Sequence, residues 1–423
     1  MKSKLTEFKK FASTLLPHET RLLLSEHQMT DPDRINILHV LNQNSHSKTF
    51  DFDENIDKRK FSHLKKWISG KLYEWDVDTE YQWLLELEKD IIQDAISPSM
   101  EEKLITYLTK YTHPSFYFIK LYEVARLYSH FLLPRLRIKA YRNVQSFLSK
   151  YEYSYQEHIL ILDTLQKASK PIVFQYAKGK PDTSGEWTTW FNELMLNERI
   201  QGYYRYLALI RIHFIALQKK EYENILKKYE YFDPILSTKG YYSRRISGNY
   251  YYNLMNIHSA LKNYSQANEF GNLAIKIRNH DFLQYSTQFA SNLLHQEKAI
   301  DAIEVLRNAH GAYKESNNHL RKTDYVSYYI QCLRMMGQQK AAANYGHSYL
   351  AVYKKEVLDN RWDLFFSQYL SSLMELKKYK EVKSIIEKHN LLFREKELSK
   401  SKGDITAFAD IYEHCKKELT SSE

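Results

Sequence analysis

The fold of this chain is decided by the stretch LMNIHSALKNYSQANEFGNLAIKI, residues 254–277. Its apolar residues step by three and four on both sides of the polar pair Lys262-Asn263, the spacing of two amphipathic helices joined by a turn. Three later stretches share the pattern: FASNLLHQEKAIDAIEVLRNAHGAY (289–313), YIQCLRMMGQQKAAANYGHSYLAVY (329–353) and YLSSLMELKKYKEVKSIIEKHNLLF (369–393). We therefore expect four consecutive helical hairpins in this part of the chain.

Each hairpin carries a small residue early on its second helix: Ala267, Ala302, Ala342 and Val382. These positions are 35, 40 and 40 residues apart, and a weaker copy at 209–232 places Ile225 there, 42 residues before Ala267. Small side chains let two antiparallel helices approach closely. The recurring small position therefore favours a helix crossing that is repeated along the chain.

The composition of the whole chain agrees with an all-α fold. It has 423 residues, of which 11 are glycine and 8 are proline, too few turn formers for an all-β protein or a nucleotide-binding sheet. A hydrophobic fraction of 43% with 26% charged residues is enough to bury a core. Two cysteines cannot form a disulfide framework, and we find neither a signal peptide nor a membrane span. These features favour a soluble, cytoplasmic protein.

The chain separates into three regions by composition and periodicity. Residues 1–75 are predicted to form an N-terminal helical bundle or cap. Residues 79–186 are predicted as helical hairpins that end in a loop at 169–186, where two prolines and two glycines lie. Residues 187–423 are predicted as repeats closed by a capping helix at 404–419. The first 186 residues resemble no family.

The hairpins from about 200 to 395 resemble the tetratricopeptide repeat, a helix–turn–helix unit that stacks into a superhelix. An aromatic residue three positions before the small one matches that family at Tyr222, Tyr264 and Tyr379. Apolar residues thirteen positions before it also match: Leu254, Phe289, Tyr329 and Tyr369. Spacings of 40–42 residues exceed the family's usual length of about 34, and its closing proline is missing. The resemblance implies a right-handed superhelix of antiparallel helix pairs with a concave ligand face.

The resemblance also implies that the first helix of each pair lines a ligand groove. Positions fifteen and eleven before the small residue form a mostly polar stripe there: Tyr252, Asn256, Thr287, Ser291, Ser327, Gln331, Ser367 and Ser371. Arg334 lies on an adjacent position, and we expect Arg244 and Arg245 near the entrance of the groove. Polar side chains one helical turn apart suit hydrogen bonding to an extended peptide. A helix face that only contacts solvent is also polar, so the polar stripe alone does not distinguish a ligand groove from an ordinary exposed helix face.

A second hypothesis rests on the positively charged middle of the chain. The net charge is +10, and eleven of the 35 tyrosines lie between residues 201 and 252, interleaved with arginine and lysine. Such a mixture is typical of protein-binding surfaces and can also stack unpaired bases of RNA or single-stranded DNA. The third interpretation is structural, because tyrosine recurs throughout the chain and suits half-buried positions between helices.

The sequence contains no motif that indicates an enzyme. A phosphate-binding loop, a zinc motif of the HExxH or CxxC type and a GxSxG nucleophile motif are all missing. We therefore expect no catalytic, cofactor-binding or metal-ligating residues. The function predicted from the sequence is that of a non-enzymatic scaffold or adaptor that binds a protein or peptide, with nucleic-acid binding through residues 201–252 as the alternative. The sequence does not choose between a scaffold and a ligand sensor.

Overall fold

A computed structural model of the chain describes residues 4–46, 50–53, 55–178, 185–402 and 407–421. These residues form helices and turns without any strand, so the predicted all-α class is confirmed. None of the described helices is both long and apolar enough to cross a lipid bilayer. The chain divides into two compact units, residues 1–247 and 248–423.

The first unit consists of eleven α-helices, a 3₁₀ turn and the start of a twelfth helix. The α-helices are α1 (Lys4–Ala12), α2 (Pro17–Glu26), α3 (Pro32–Gln43), α4 (Lys58–Trp75), α5 (Val77–Ile92), α6 (Pro98–Thr109), α7 (Phe118–Leu132), α8 (Ile138–Lys178), α9 (Gly185–Leu196), α10 (Gly202–Lys219) and α11 (Tyr222–Phe232). The 3₁₀ turn spans Ile235–Ser237, and α12 (Arg244–Ala260) runs across the division between the units.

The described residues of the first unit include two large hydrophobic clusters. In the first, α1 and α2 pack on α4 around Phe8, whose ring lies 5.3 Å from that of Phe52 and 5.1 Å from that of Phe61. The second cluster joins α5, α7 and α8 around the buried Leu84 and Tyr128. Large aromatic side chains fill both clusters because rings bury much area and pack edge to face.

The helix α8 differs from the sequence-based expectation. Residues 169–186 are predicted as a loop, but α8 continues to Lys178 with Pro171 inside the helix. Interior proline removes a backbone hydrogen bond and costs about 3 kcal/mol. Ala168 and Ile172 are both fully buried on a helix that packs against α10, and this burial offsets the cost. Residues 179–184 of the predicted loop lie outside the described residues.

The second unit continues from α12 with ten further helices. They are α13 (Tyr264–Ala274), α14 (Phe282–Leu294), α15 (Ala299–Asn308), α16 (His310–Glu315), α17 (His319–Met335), α18 (Gln339–Asn360), α19 (Trp362–Glu375), α20 (Tyr379–Lys388), α21 (Leu391–Lys402) and α22 (Ala407–Thr420). The predicted capping helix at 404–419 corresponds to α22, and its first three residues lie outside the described part of the chain.

The helix pair α10–α11 and the four predicted hairpins are closed by turns of one geometry, which also occurs at Asp94 between α5 and α6. In each turn a residue with positive φ is followed by a residue whose backbone N–H reaches back to the carbonyl five positions earlier, over 2.8–3.0 Å. In the five pairs, the residues with positive φ are Lys220, Lys262, Glu297, Gly337 and Lys377. This arrangement gives hydrogen-bond donors to carbonyls at the end of the first helix that have none within the helix, and it reverses the direction of the chain. The small residue five positions later is fully buried in every pair: Ile225, Ala267, Ala302, Ala342 and Val382.

The helices of the second unit pack in a regular order. The first helices α14 and α17 each contact the second helix of their own pair: α14 contacts α15, and α17 contacts α18. Both also contact the first helix of the following pair, so that α14 packs on α17 and α17 packs on α19. The first helices of three successive pairs therefore lie next to one another in the order α14, α17, α19.

The burial of His213 in the first unit predicts that the stability of this protein depends on pH. The ring of His213 on α10 is 3% exposed, and this burial lowers its pKa to about 4. An unfolded chain binds a proton at this ring near pH 6.5, whereas the folded chain does so only near pH 4. The stability that the neutral ring contributes is therefore present above pH 6.5 and is lost as the pH falls towards 4.

We expect His213→Leu to flatten the dependence of stability on pH. Between pH 7 and pH 5, the free energy of unfolding of the wild type should fall by about 2 kcal/mol more than that of the variant. The reason is that only the wild type takes up a proton at this ring on unfolding. Urea unfolding at both pH values measures the difference. His63→Leu, at an exposed position of α4, is the control. Equal pH slopes for His213→Leu and the wild type would contradict the prediction.

Candidate functional site on the first helices of residues 248–423

The surface proposed from the sequence lies on the first helices of the hairpins in the second unit. Tyr252 and Asn256 lie on α12, and the other predicted positions lie on three helices that pack side by side. Thr287 and Ser291 are on α14; Ser327, Gln331 and Arg334 are on α17; Ser367 and Ser371 are on α19. The structure thus brings the last three helices of the predicted stripe together.

Three of the predicted residues are buried instead of facing solvent. The exposed fractions of Thr287, Ser291 and Ser327 are 2%, 4% and 0%. The Thr287 hydroxyl donates to the Leu283 carbonyl over 2.9 Å, and the Ser327 hydroxyl donates to the Thr323 carbonyl over 2.7 Å. A short hydroxyl side chain that bonds within its own helix can be buried without a penalty. These residues line the contact between helices, which corrects the expectation of a solvated stripe.

The other stripe residues are half-buried and keep polar atoms at the surface. Tyr252 accepts a hydrogen bond from the side-chain amide of Gln284 over 3.0 Å. Ser371 donates to the Ser367 carbonyl over 2.7 Å, which leaves its oxygen able to accept a second bond. Asn256 and Gln331 carry amides that both donate and accept. The surface that remains for a partner is therefore smaller than the predicted stripe, and it centres on amide groups.

Arg334 joins two of the first helices. Its Nη1 donates to Glu375 over 2.6 Å and its Nη2 donates to Gln368 over 3.4 Å, both on α19. The Nε of the same guanidinium is buried and has no acceptor among the described residues. Glu375 and Gln368 were not singled out by the sequence analysis. Gln368 lies three residues before Ser371 and Glu375 lies four after it. This spacing places both on the same helix face and is a signal that could have found them.

A buried carboxylate near this surface is held by two arginines. Asp324 on α17 is 5% exposed; Arg361 donates to it over 2.7 Å, and Arg321 lies 3.5 Å away. Burial raises the pKa of Asp324, and the two guanidinium groups oppose that rise. Because its charge is compensated, Asp324 fixes the position of Arg361 at the start of α19. The sequence analysis missed this group because Arg361 lies 37 residues away.

Arg244 and Arg245 are bound to carboxylates within the first unit. Arg244 pairs with the buried Glu19 and donates to the Thr14 carbonyl over 2.8 Å. Arg245 forms a two-point bond with Asp78, over 2.9 and 3.0 Å. Burial alone would raise the pKa of Asp78, but hydrogen bonds from Arg245 and the Tyr117 hydroxyl hold it below its ordinary value. Both arginines are therefore occupied by intramolecular partners.

The tyrosine-rich segment 201–252 contributes mainly to packing. Six of its eleven tyrosines are at most 5% exposed: Tyr204, Tyr206, Tyr229, Tyr242, Tyr250 and Tyr251. Arg205 is 3% exposed and donates to the Tyr241 hydroxyl over 2.6 Å. A platform for bases needs exposed rings beside free cations. The burial of these residues favours the structural interpretation, while nucleic-acid binding stays an untested prediction.

The fold and this surface define the chain as an all-α protein whose hairpins pack first helix against first helix. The part of the chain that the structure describes contains no group of three or more His, Cys, Asp or Glu side chains arranged to hold a metal ion. No protein-family model, curated protein or solved structure matches the chain. Its function therefore has to be argued from its own residues.

Proposed function

We propose that residues 248–423 form a tetratricopeptide-like superhelix of hairpins and bind a protein or peptide along their first helices. The observation that carries this proposal is the packing of α14 on α17 and of α17 on α19. Turns of one geometry and fully buried small residues support equal placement of successive hairpins. Stacked hairpins of this kind create extended binding surfaces.

The chemistry of the surface supports a peptide as the ligand. An extended peptide backbone presents alternating donors and acceptors, and the amides of Asn256, Gln331 and Gln368 can serve both. Arg334 is already paired with Glu375, so a carboxylate clamp is not part of the proposal. The two cysteines, Cys332 and Cys415, are buried free thiols, which supports a reducing, cytoplasmic location. The protein would act as a non-enzymatic scaffold or adaptor.

Panning a random linear peptide library against the full-length protein tests the proposal. We expect enriched peptides whose dissociation constant rises at least tenfold in the double variant Asn256→Ala/Gln331→Ala, because each lost amide leaves a peptide group unpaired. The matched control is Asn308→Ala/Asn344→Ala, which removes two exposed amides from the second helices α15 and α18. Failure to enrich any sequence would contradict the proposal, and so would equal affinity for the double variant and the wild type.

A further inference from the structure

A cleft of about 480 Å³ lies in the first unit between α8 and α10. Its walls are largely apolar and include Leu165, Val173, Phe174 and Leu207. Val173 and Phe174 are 42% and 45% exposed, although both are large hydrophobic residues. The volume falls within the range of small-molecule sites, roughly 300–1,000 Å³. The cleft thus has apolar side chains that are partly exposed.

One wall of the cleft carries a half-buried guanidinium that no carboxylate of the described residues neutralises. Arg211 donates from Nε to the Ser169 hydroxyl over 2.7 Å, its one hydrogen bond to the described residues. Within those residues no aspartate or glutamate forms an ion pair with it. Burial lowers the pKa of this guanidinium, and the nearby Tyr203 opposes the shift. Lys170 adds a second cation to the lining.

Arg211 differs from several other arginines of the chain in its terminal nitrogens, which form no hydrogen bond to the described residues. Arg205 and Arg394 also lack a carboxylate partner there, but they donate terminal N–H groups to the Tyr241 hydroxyl and the Leu358 carbonyl. Other arginines are held by carboxylates. Arg244 pairs with Glu19, Arg245 with Asp78 and Arg361 with Asp324. A cation that loses water without gaining a counter-charge is unfavourable, so such groups are normally paired. Neither terminal nitrogen of Arg211 forms a hydrogen bond to the described residues, so both are available for the two-point bond that a guanidinium makes with a carboxylate or a related anion.

We propose that this cleft binds a small amphipathic carboxylate, with the anion on Arg211 and the alkyl chain along Leu165, Val173 and Phe174. Charge complementarity argues for the anionic head, since the lining contains two cations and no acidic side chain among the residues that the structure describes. The exposed apolar wall argues for the chain, because covering it removes apolar surface from water. This site is independent of the peptide-binding surface proposed for residues 248–423.

The test uses dodecanoate, below its micelle concentration, titrated calorimetrically into the full-length protein. We expect saturable binding to the wild type that weakens at least tenfold in Arg211→Met, which keeps an unbranched apolar stem and removes the guanidinium and its charge. Arg199→Met, at an exposed position outside the cleft, should bind as the wild type does. Dodecanol, which has the chain without the charge, should bind at least tenfold more weakly than dodecanoate to the wild type.

A second variant and a stability measurement distinguish loss of the binding site from loss of the fold. Val173→Glu places a negative charge on the exposed wall and should also prevent dodecanoate binding while leaving the fold intact. Arg211→Met should melt no lower than the wild type in the absence of ligand, because it removes an uncompensated cation. Equal binding to all variants, no binding to the wild type, or Arg211-dependent binding of an apolar tetrapeptide with a free C-terminus but not of dodecanoate would each overturn the proposal.

Discussion

Replacing Glu19 with alanine is expected to lower the free energy of unfolding of residues 1–247 by about 3–5 kcal/mol. The carboxylate of Glu19 is 0% exposed. It accepts hydrogen bonds from the Leu16 backbone N–H and the Tyr242 hydroxyl, both over 2.8 Å, and it pairs with Arg244. Alanine leaves three donors without their acceptor, two of them in the interior, and removing one partner of a buried pair is far more costly than the pair is stabilising.

The matched control for this variant lies on the same helix. Glu26→Ala also removes an ion pair, here with Lys239, but the two side chains are 36% and 47% exposed. Exposed pairs contribute about 0–1 kcal/mol, so this variant should be close to the wild type. Hydrogen–deuterium exchange of the full-length protein in urea reports the two units separately. Similar exchange of α2 in both variants would show that the buried network does not stabilise the first unit.

Gly271→Ala and Gly346→Ala are each expected to destabilise the second unit by about 1–3 kcal/mol. A methyl group at Gly271 would lie 2.4 Å from the ring of Phe289, and one at Gly346 would lie 2.5 Å from the ring of Tyr369. Both rings are buried, at 2% and 1% exposure, so they have little room to move. Each glycine follows the small residue of its hairpin by four positions, and each ring belongs to the first helix of the next hairpin.

Gly311→Ala is the control for these two variants, because nothing lies within 4 Å of a methyl group there. In a helix this change should stabilise the protein by about 0.5–1 kcal/mol. The double variant Gly271→Ala/Phe289→Leu should recover part of the lost stability, since the smaller side chain relieves the overlap. Calorimetric melting of the full-length protein measures all four. Unchanged melting of the glycine variants would contradict the tight contact between successive hairpins.

The helices of the second unit could be predicted because their information is local. Apolar spacing marks both helices of each pair, and the turn at Gly337 carries the residue that a positive φ favours. The extension of α8 past Pro171 could not be predicted from such local patterns. Local propensity argues against a proline in a helix, and only the burial of Ala168 and Ile172 explains why the helix continues.

The candidate site could be predicted only in outline. The helices that carry it follow from periodicity, but a serine or threonine on a helix does not reveal whether it faces water. Thr287 and Ser327 satisfy their hydroxyls within their own helices and are buried. The ion pairs of Arg244 and Arg361 join segments far apart in the sequence, and no local pattern encodes such pairs. Likewise, the missing counter-charge of Arg211 becomes visible only when its neighbours in space are known.

The bond between Glu19 and Arg244 spans 225 residues, and this separation matters while the protein is being made. At about 5–20 residues per second, a ribosome needs on the order of 10–45 s to synthesise that stretch. During this interval the nascent N-terminal segment holds a carboxylate whose guanidinium partner does not yet exist. The buried pair of Glu19 with Arg244 can therefore form only after Arg244 has left the exit tunnel.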